Sequence, residues 1–85
     1  MPKLFTINII TPDSSLYHGE VSSLVAPGEI GYLGILANHA PLITNLVPGK
    51  IVIKKEGNSP HIINSKAKGF LEVVKNNVTI LLDSA

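Results

Sequence analysis

Apolar and polar residues alternate along much of the chain. The segments Phe5–Ile9, Ile51–Ile53 and Val78–Leu82 each carry apolar side chains at every second position. This period of two is typical of a β-strand with one buried face. Eleven isoleucines, seven valines and four threonines add to the signal, because β-branched side chains pack well on pleated sheets. No window of eleven or more residues carries a helical apolar stripe, so the pattern predicts an all-β chain.

Turn signals fall at short intervals between these runs, among them His18-Gly19, Pro48-Gly49 and Asn76-Asn77. Glycine and asparagine supply the positive φ angles that tight turns need, and the last pair predicts a two-residue hairpin. Many short strands with regular turns favour a β-sandwich or barrel, formed here by residues 1–85 as a single domain. The predicted strands cover residues 3–10, 16–18, 20–26, 32–36, 41–46, 50–55, 60–65, 69–75 and 77–83.

Residues 30–49 contain no Asp, Glu, Lys or Arg, and their length fits a membrane-spanning helix. Two prolines, two asparagines and a histidine interrupt the segment, however, and would leave helix breaks and unpaired polar groups in lipid. We therefore expect a compact glycine-rich loop, Glu29–Gly34, and a short buried strand, Pro41–Val47.

Three apolar doublets predict an outer contact surface. Ile62-Ile63, Val73-Val74 and Leu81-Leu82 each put an apolar side chain on both sides of a predicted strand. Only one face of each sheet can meet the core of so small a sandwich, so some of these residues must lie outside. An outer apolar patch usually marks a partner surface. This favours a subunit of an assembly over an enzyme that works alone.

Charge and composition limit the kinds of partner and the cellular setting that the chain can be expected to have. The formal net charge is +1, with seven lysines and no arginine, which is a poor footprint for binding nucleic acid. Six lysines fall between residues 50 and 75, where we interpret them as solvated strand edges that block edge pairing. Weak attraction to an acidic partner or to anionic lipid head groups is the alternative. With no cysteine and no secretory signal, an intracellular setting is expected.

No motif predicts catalysis. Gly49-Lys50 is followed by Ile51, so the P-loop pattern fails, and no Gly-x-Ser-x-Gly elbow supports a Ser–His–Asp set. The three histidines lack the paired spacing of a metal site. We predict no catalytic, cofactor-binding or metal-binding residues. His39, just before Ala40-Pro41, is expected to satisfy local backbone groups, with a partner contact and pH sensing as alternatives.

Two groups of residues resemble the signature of the epsilon subunit of F-type ATP synthases. Each piece alone is weak, but together, in order and at the right spacing, they are specific. The resemblance runs from about Phe5 to Ala85. The pieces are Gly31-x-Leu33-Gly34-Ile35-x-x-x-His39-Ala40-Pro41-Leu42-Ile43-Thr44 with Pro48-Gly49, then Gly69-Phe70-Leu71-Glu72-Val73 with Asn77-Val78-Thr79-Ile80-Leu81.

This resemblance implies a flattened β-sandwich of about ten short strands in two sheets, with no chemistry of its own and no cofactor. Members of the family sit in the central stalk, dock on the gamma subunit and rest on the polar loops of the membrane c-ring. They turn with the rotor, help couple proton translocation to ATP synthesis, and meet the rest of the catalytic head indirectly. The implied location is peripheral, at the cytoplasmic face of a bacterial inner membrane, with the stromal face of the chloroplast thylakoid as the alternative.

The resemblance also implies contact residues. Those that would face the c-ring are Ile30, Gly31, Tyr32, Leu33 and Gly34. Those that would lie toward gamma are Thr11, His39 and Thr44. The chain departs from the family pattern at Tyr32, where many relatives carry an acidic residue, and at residues 65–68, where they often carry a small, glycine-rich run. Typical relatives continue into a helical hairpin that can inhibit ATP hydrolysis; the 85 residues stop before it, so we expect neither that inhibition nor ATP binding by that route.

Two other functions are kept as alternatives. A generic β-sandwich binding module would use the lysines for an acidic partner, and its binding would fall steeply with salt because charge contacts are screened. A small hydrolase would show turnover.

Overall fold

The computed structural model describes residues 3–84, which form nine β-strands and confirm the all-β class, with nine strands in place of about ten. Across those residues there is no helix, and so none that is long and apolar enough to cross a membrane. The strands are β1 (Phe5–Ile10), β2 (Ser15–Val21), β3 (Ser23–Gly28), β4 (Gly31–Leu36), β5 (Leu42–Leu46), β6 (Gly49–Lys54), β7 (His61–Ser65), β8 (Gly69–Val74) and β9 (Asn77–Leu82).

The strands form one curled sheet that folds over into the two layers of a β-sandwich. We call the strands β2-β1-β9-β8-β5 layer one and the strands β4-β3-β6-β7 layer two. The neighbours β1 and β9 are parallel, and the other neighbouring pairs are antiparallel. The two layers are joined where Gly28, at the end of β3, pairs with Leu46, at the end of β5.

The chain bends from one layer into the other at one end of the sandwich, which we call the corner. β5 and β6 are successive parts of one bent strand, because both pair with β3. Val47 donates its backbone N–H to the carbonyl of Pro27 at 2.9 Å, so the chain stays hydrogen-bonded to β3 through the bend. Bends of this kind are a common way for a strand to change sheets. Pro48-Gly49, predicted as a turn, therefore redirects the chain without reversing it.

Inward-facing side chains of both layers form one apolar core. The alternation predicted over Phe5–Ile9, Ile51–Ile53 and Val78–Leu82 is confirmed, since the apolar residues at every second position of these segments are almost inaccessible to solvent. The core consists of Phe5, Ile7, Ile9, Val21, Leu24, Ala26, Ile35, Leu46, Ile51, Ile53, Ala67, Leu71, Val73, Val78, Ile80 and Leu82.

Three local predictions need correction. His18-Gly19 is not a turn but lies inside β2, and the chain leaves that strand at Ser22. The hairpin near Asn76-Asn77 is confirmed, but its turn residues are Lys75 and Asn76, with φ angles of +46° and +62°. In the strand predicted as buried, Pro41–Val47, only Leu46 is fully buried. Leu42 and Thr44 also face inward but are only half-buried, and Leu46 lies where β5 pairs with Gly28 of β3.

Candidate interaction surfaces

The β3–β4 hairpin carries the residues predicted to face the c-ring. Its turn consists of only two residues, Glu29 and Ile30, because Gly28 pairs with Gly31. The compact loop predicted over Glu29–Gly34 is therefore wrong in length, and residues 31–34 are the first four residues of β4. Gly31 has a φ angle of +132°, which side-chain-bearing residues rarely adopt. The chain needs glycine there to close so short a turn.

The five residues predicted to face the ring do not all point outward. Ile30, at the tip of the hairpin, is fully exposed, and Tyr32 is 60% exposed. Leu33 is partly buried and packs against the core. At Gly31 and Gly34, a Cβ atom would meet no heavy atom within 4 Å. Ile30 and Tyr32 are therefore the side chains offered for contact, flanked by open glycine backbone.

Polar contacts hold the hairpin against the corner. The Tyr32 hydroxyl accepts the backbone N–H of Lys50 at 3.1 Å. Gly49 makes room for this contact, because a Cβ at that position would lie 2.8 Å from the Tyr32 hydroxyl oxygen. Asn45 donates from Nδ2 to Oε1 of Glu29 at 3.1 Å, which links the turn to β5. The tip is thus tied to both layers of the sandwich.

Thr11, the first of the residues predicted to lie toward gamma, organises the β1–β2 connection. Its side chain is nearly buried, and its Oγ1 accepts the backbone N–H of Ser14 at 3.1 Å and that of Asp13 at 3.3 Å. This arrangement satisfies the backbone of a tight turn. Thr11 also lines a groove on the outside of layer one, described below.

His39 and Thr44 do not cluster with Thr11. His39 follows Asn38, which is hydrogen-bonded to Asn76 at the β8–β9 turn, and so lies at the opposite end of layer one from Thr11. Its Nδ1 is 2.7 Å from the carbonyl oxygen of the next residue, as the local-backbone interpretation predicts. Thr44 pairs with Leu71 and therefore lies on the core-facing side of β5, half-buried. The three residues do not form one surface.

A row of apolar side chains crosses the outer face of layer one. Phe70 on β8 pairs with Leu81 on β9, which in turn pairs with Ile10 on β1. Phe70 is 55% exposed. Ile43 on β5 and Val74 on β8 are exposed on the same side but stand apart from this row, because the exposed Glu72 lies between Phe70 and Val74 and pairs with Ile43. We call these five apolar residues the β8 face.

The doublet prediction of an outer apolar surface is confirmed. In Val73-Val74 and Leu81-Leu82 one residue is buried and its neighbour is exposed, and in Ile62-Ile63 the first is exposed and the second partly buried. Phe70 and Ile43 were missed because neither was part of a doublet considered for this surface. Alternation could have found Phe70, since it precedes the core residue Leu71 on a strand.

Two open grooves flank Phe70. The first, of about 370 Å³, is mostly apolar, and the second, of about 420 Å³, includes the charged residues Glu29, Lys68 and Asp83. Phe70 therefore stands between two depressions that both include Asp83, and the second also carries Glu29 and Lys68. The first groove is lined by Ile10, Thr11, Pro12, Gly69, Phe70, Leu81, Leu82 and Asp83, and the second by Glu29, Asn45, Leu46, Val47, Lys68, Gly69, Phe70 and Asp83.

The outer face of layer two is apolar at its centre and basic at its margins. Val25, Val52 and Ile62 form a row across β3, β6 and β7, and we call these three residues the β6 face. Lys50 and Lys54 flank Val52 on the same strand, and both are exposed. The interpretation of these two lysines as strand-edge protection is wrong, because β6 lies between β3 and β7.

No metal centre is found in the part of the chain that the structure describes. Among residues 3–84, no three His, Asp or Glu side chains converge in a way that could hold an ion.

The sequence matches, over residues 4–85, the family described as "ATP synthase, Delta/Epsilon chain, beta-sandwich domain". The chain belongs to this family. The resemblance found from the sequence motifs is thereby confirmed, and it covers the whole of the described sandwich.

Curated relatives agree with this assignment. The ATP synthase epsilon chain of Xanthomonas oryzae pv. oryzae (strain MAFF 311018) is 45% identical over 78 residues, which are 92% of this chain and 55% of the relative. That of Leptospira borgpetersenii serovar Hardjo-bovis (strain JB197) is 47% identical over 77 residues, 91% of this chain and 59% of the relative. The chain thus spans little more than half the length of these relatives.

Solved structures share the fold. A chain of the Euglena gracilis mitochondrial ATP synthase, described as OSCP/F1/c-ring in rotational state 1, matches with a TM-score of 0.86 and 21% identity, covering 96% of this chain and 52% of that chain. A chain of the Tetrahymena thermophila mitochondrial ATP synthase, described as central stalk/c-ring, matches with a TM-score of 0.75 and 18% identity, covering 93% and 63%. At these identities the likeness concerns the fold alone.

Proposed function

We propose that this domain is a non-catalytic part of the central stalk of an F-type ATP synthase. It would dock on the gamma subunit, contact the polar loops of the c-ring and turn with the rotor, so that proton translocation is coupled to ATP synthesis. The observation that carries this proposal is the match of residues 4–85 to the delta/epsilon family. The bacterial origin of the relatives supports a location peripheral to a bacterial membrane.

The β8 face is the surface we assign to gamma. Phe70, Leu81 and Ile10 lie side by side across three strands, and a groove on either side of Phe70 gives a partner side chain a place to pack. Buried aromatic anchors of this kind dominate the energy of protein interfaces. The β6 face fits less well, because it carries no aromatic side chain and is flanked by Lys50 and Lys54, whereas the β8 face carries one exposed charge, Glu72. Docking on the β8 face should therefore tolerate salt.

Thr11 fits this assignment as a rim residue, since it lines the apolar groove beside Phe70. The contacts of His39 and Thr44 with gamma stay predictions. His39 would need a gamma segment at the far end of layer one, and Thr44 would need one on the core-facing side of β5.

The tip of the β3–β4 hairpin is the surface we assign to the c-ring. Ile30 is fully exposed there, and Tyr32 stands beside it. The open backbone at Gly31 and Gly34 allows a partner loop to approach closely. Because the tip projects at the corner, it can contact one partner while the β8 face contacts another.

Binding to the gamma subunit of the same organism tests the proposal. The two proteins are mixed at low and high salt, and the mass of the complex is measured by size-exclusion chromatography with light scattering. Phe70→Glu and Ile62→Glu form a matched pair, because the two side chains are 55% and 50% exposed on opposite outer faces. We expect a salt-tolerant one-to-one complex that Phe70→Glu abolishes and Ile62→Glu preserves.

Other outcomes separate the alternatives. Loss of the complex with Ile62→Glu alone would move the docking site to the β6 face. Binding that falls steeply with salt would favour the generic module that uses its lysines. No complex at either salt concentration would overturn the assignment of the gamma partner.

A further inference from the structure

β4 is an edge strand whose outer hydrogen-bonding groups have no partner strand among residues 3–84. The neighbouring strand shows which residues these are. The carbonyl of Pro27 on β3 accepts a hydrogen bond from Val47 and therefore points away from β4. Pro27 and Tyr32 are thus a pair without mutual hydrogen bonds, and the N–H and C=O of Tyr32 point away from β3. By alternation, Tyr32, Gly34 and Leu36 direct their N–H and C=O groups to the free edge.

This edge lacks the features that usually prevent strands from pairing between molecules. Gly31–Leu36 carries no charge and no proline, and it pairs with β3 without a bulge. The other outer strands differ. β2 carries His18 and Glu20 and has a register shift against β1. β7 approaches β2 through the rings of His61 and Tyr17, whose centroids are 5.1 Å apart.

We propose that β4 pairs in antiparallel orientation with β4 of a second copy of this chain. The strand is self-complementary about Gly34. A two-fold axis there would set Gly34 opposite its own copy, Leu33 opposite Ile35 of the partner subunit, and Tyr32 opposite Leu36 of the partner subunit. Every cross-strand pair would be apolar or glycine, with no like charges opposed. Such an isologous contact closes at two copies.

The space around β4 favours this arrangement. A Cβ at Gly34 would meet no heavy atom within 4 Å, so the middle of the strand is open to an approaching backbone. Tyr32 and Leu36, 60% and 65% exposed, would each gain a neighbour. One six-residue strand from each copy makes a small interface, below about 1,200 Å², so the dissociation constant should be on the order of 100 µM.

The dimer has a consequence for assembly, which rests on the proposed function. Tyr32 is part of both the proposed ring contact and the proposed dimer. The two contacts would therefore exclude each other, and the free domain would have to leave its dimer before it met the ring.

Sedimentation equilibrium of the purified chain, from about 10 µM to about 1 mM, tests the dimer around its expected dissociation constant. In Gly34→Lys, two ammonium groups would face each other across the two-fold axis. Ser15→Lys is the matched control, because it adds the same charge to an exposed position of β2 in layer one, opposite the apolar Ile10 and away from β4. Gly34→Ala controls for adding a side chain without charge. We expect the wild type and both controls to dimerise, and Gly34→Lys to bind its copy about two- to fivefold more weakly.

Solution NMR of the wild type gives a second measurement that does not depend on a variant. The amides of Tyr32, Gly34 and Leu36 should gain protection from exchange as concentration rises. The Hα atoms of Leu33 and of Ile35 of the partner subunit should show a mutual contact, because they would form a pair without hydrogen bonds.

Three results would overturn the dimer. They are a wild type that stays monomeric throughout, a Gly34→Lys variant that dimerises like the wild type, and assembly beyond two copies. Failure of the gamma-binding experiment would leave this proposal intact, since the dimer is measured on the chain alone.

Discussion

Replacing Gly69 with alanine should destabilise the domain strongly, because β8 and β9 meet there without room for a side chain. A Cβ at position 69 would lie 2.0 Å from the carbonyl oxygen of Leu81 and 2.9 Å from its carbonyl carbon. It would also lie 3.0 Å from Cα of Leu82. All three atoms belong to the backbone of the paired strand, so no flexible side chain can move aside.

The size of the effect follows from the contacts that must open. Real Cβ atoms essentially never approach another heavy atom within 3.0 Å, so the strands must separate by at least 3.0 − 2.0 = 1.0 Å. Gly69 and Leu82 form a pair without mutual hydrogen bonds, so the separation breaks the two bonds that flank it. These run from Asp83 N–H to the Lys68 carbonyl and, by alternation, from Phe70 N–H to the Leu81 carbonyl. Two hydrogen bonds cost about 1 kcal/mol each, and partial exposure of Leu82 and Ala67 adds about 1 to 2 kcal/mol. The total is about 3 to 4 kcal/mol, out of about 4 to 13 kcal/mol for a domain of this length.

Urea denaturation followed by far-ultraviolet circular dichroism measures the loss, and thermal unfolding should show a midpoint lower by about 12 to 32 °C. Gly19→Ala is the matched control within the same layer. Its new Cβ would lie 3.8 Å from Cε1 of Tyr17, an ordinary contact, so its free energy of unfolding should change by no more than about 0.5 kcal/mol. A Gly69→Ala domain with the wild-type urea midpoint and slope would refute the close-approach argument.

Two further predictions concern turns. Thr11→Val keeps the shape of the side chain but removes the oxygen that accepts two backbone N–H groups, and it should lower the free energy of unfolding by about 1 to 2 kcal/mol. Thr11→Ser keeps the hydroxyl and should retain most of the wild-type stability. Equal thermal midpoints for Thr11→Val and the wild type would contradict the role assigned to this hydroxyl. Asn76→Ala removes two hydrogen bonds to Asn38, of 2.6 and 3.0 Å, and places alanine at a φ of +62°, which it disfavours. The free energy of unfolding, measured by chemical denaturation, should fall by about 2 to 3 kcal/mol. Asn76→Gly also loses the hydrogen bonds but avoids the backbone strain at positive φ, so it should be less destabilising than Asn76→Ala. Equal losses of stability in the two variants would argue against a contribution from φ.

Alternation predicted most of the strands because each strand has one face on the core, but the predicted strands 16–18 and 20–26 divide the chain differently from β2 and β3. The predicted strand 77–83 corresponds to Asn77–Leu82, and 69–75 corresponds to Gly69–Val74. The signal failed at Gly19, which is a turn former in isolation. In the folded chain it pairs with Ile7 inside the β1–β2 ladder, and this pairing overrides the local preference.

The corner could not be predicted from local residues. Pro48-Gly49 is a turn signal by itself, and whether the chain reverses there depends on which strand pairs with the segments before and after it. Both segments pair with β3, so the chain continues. Pairing with β3 also explains why the loop is shorter than the predicted Glu29–Gly34, because the residues from Gly31 onward pair with β3.

The candidate surfaces were predicted only in part for a related reason. Doublets such as Leu81-Leu82 showed that some apolar residues must lie outside, but not which of them would be neighbours. Phe70 and Ile10 become one surface only through their shared partner, Leu81. The sequence motif placed Thr11 and His39 together toward gamma, whereas the fold separates them by the length of layer one. A motif identifies a family without giving distances between its residues.

The link between the hairpin tip and the β8 face bears on the proposed function. A subunit that passes rotation between two partners must keep its two contact surfaces in a fixed relation. Here the connection is short. Glu29, in the hairpin turn, accepts a hydrogen bond from Asn45, and Asn45 pairs with Phe70 in the β5–β8 ladder. One hydrogen bond and one cross-strand pair therefore separate the tip from the centre of the β8 face. Because the Tyr32 hydroxyl ties the same hairpin to β6, the tip cannot tilt without breaking contacts in both layers. Short contacts through the sandwich therefore connect its two proposed contact surfaces.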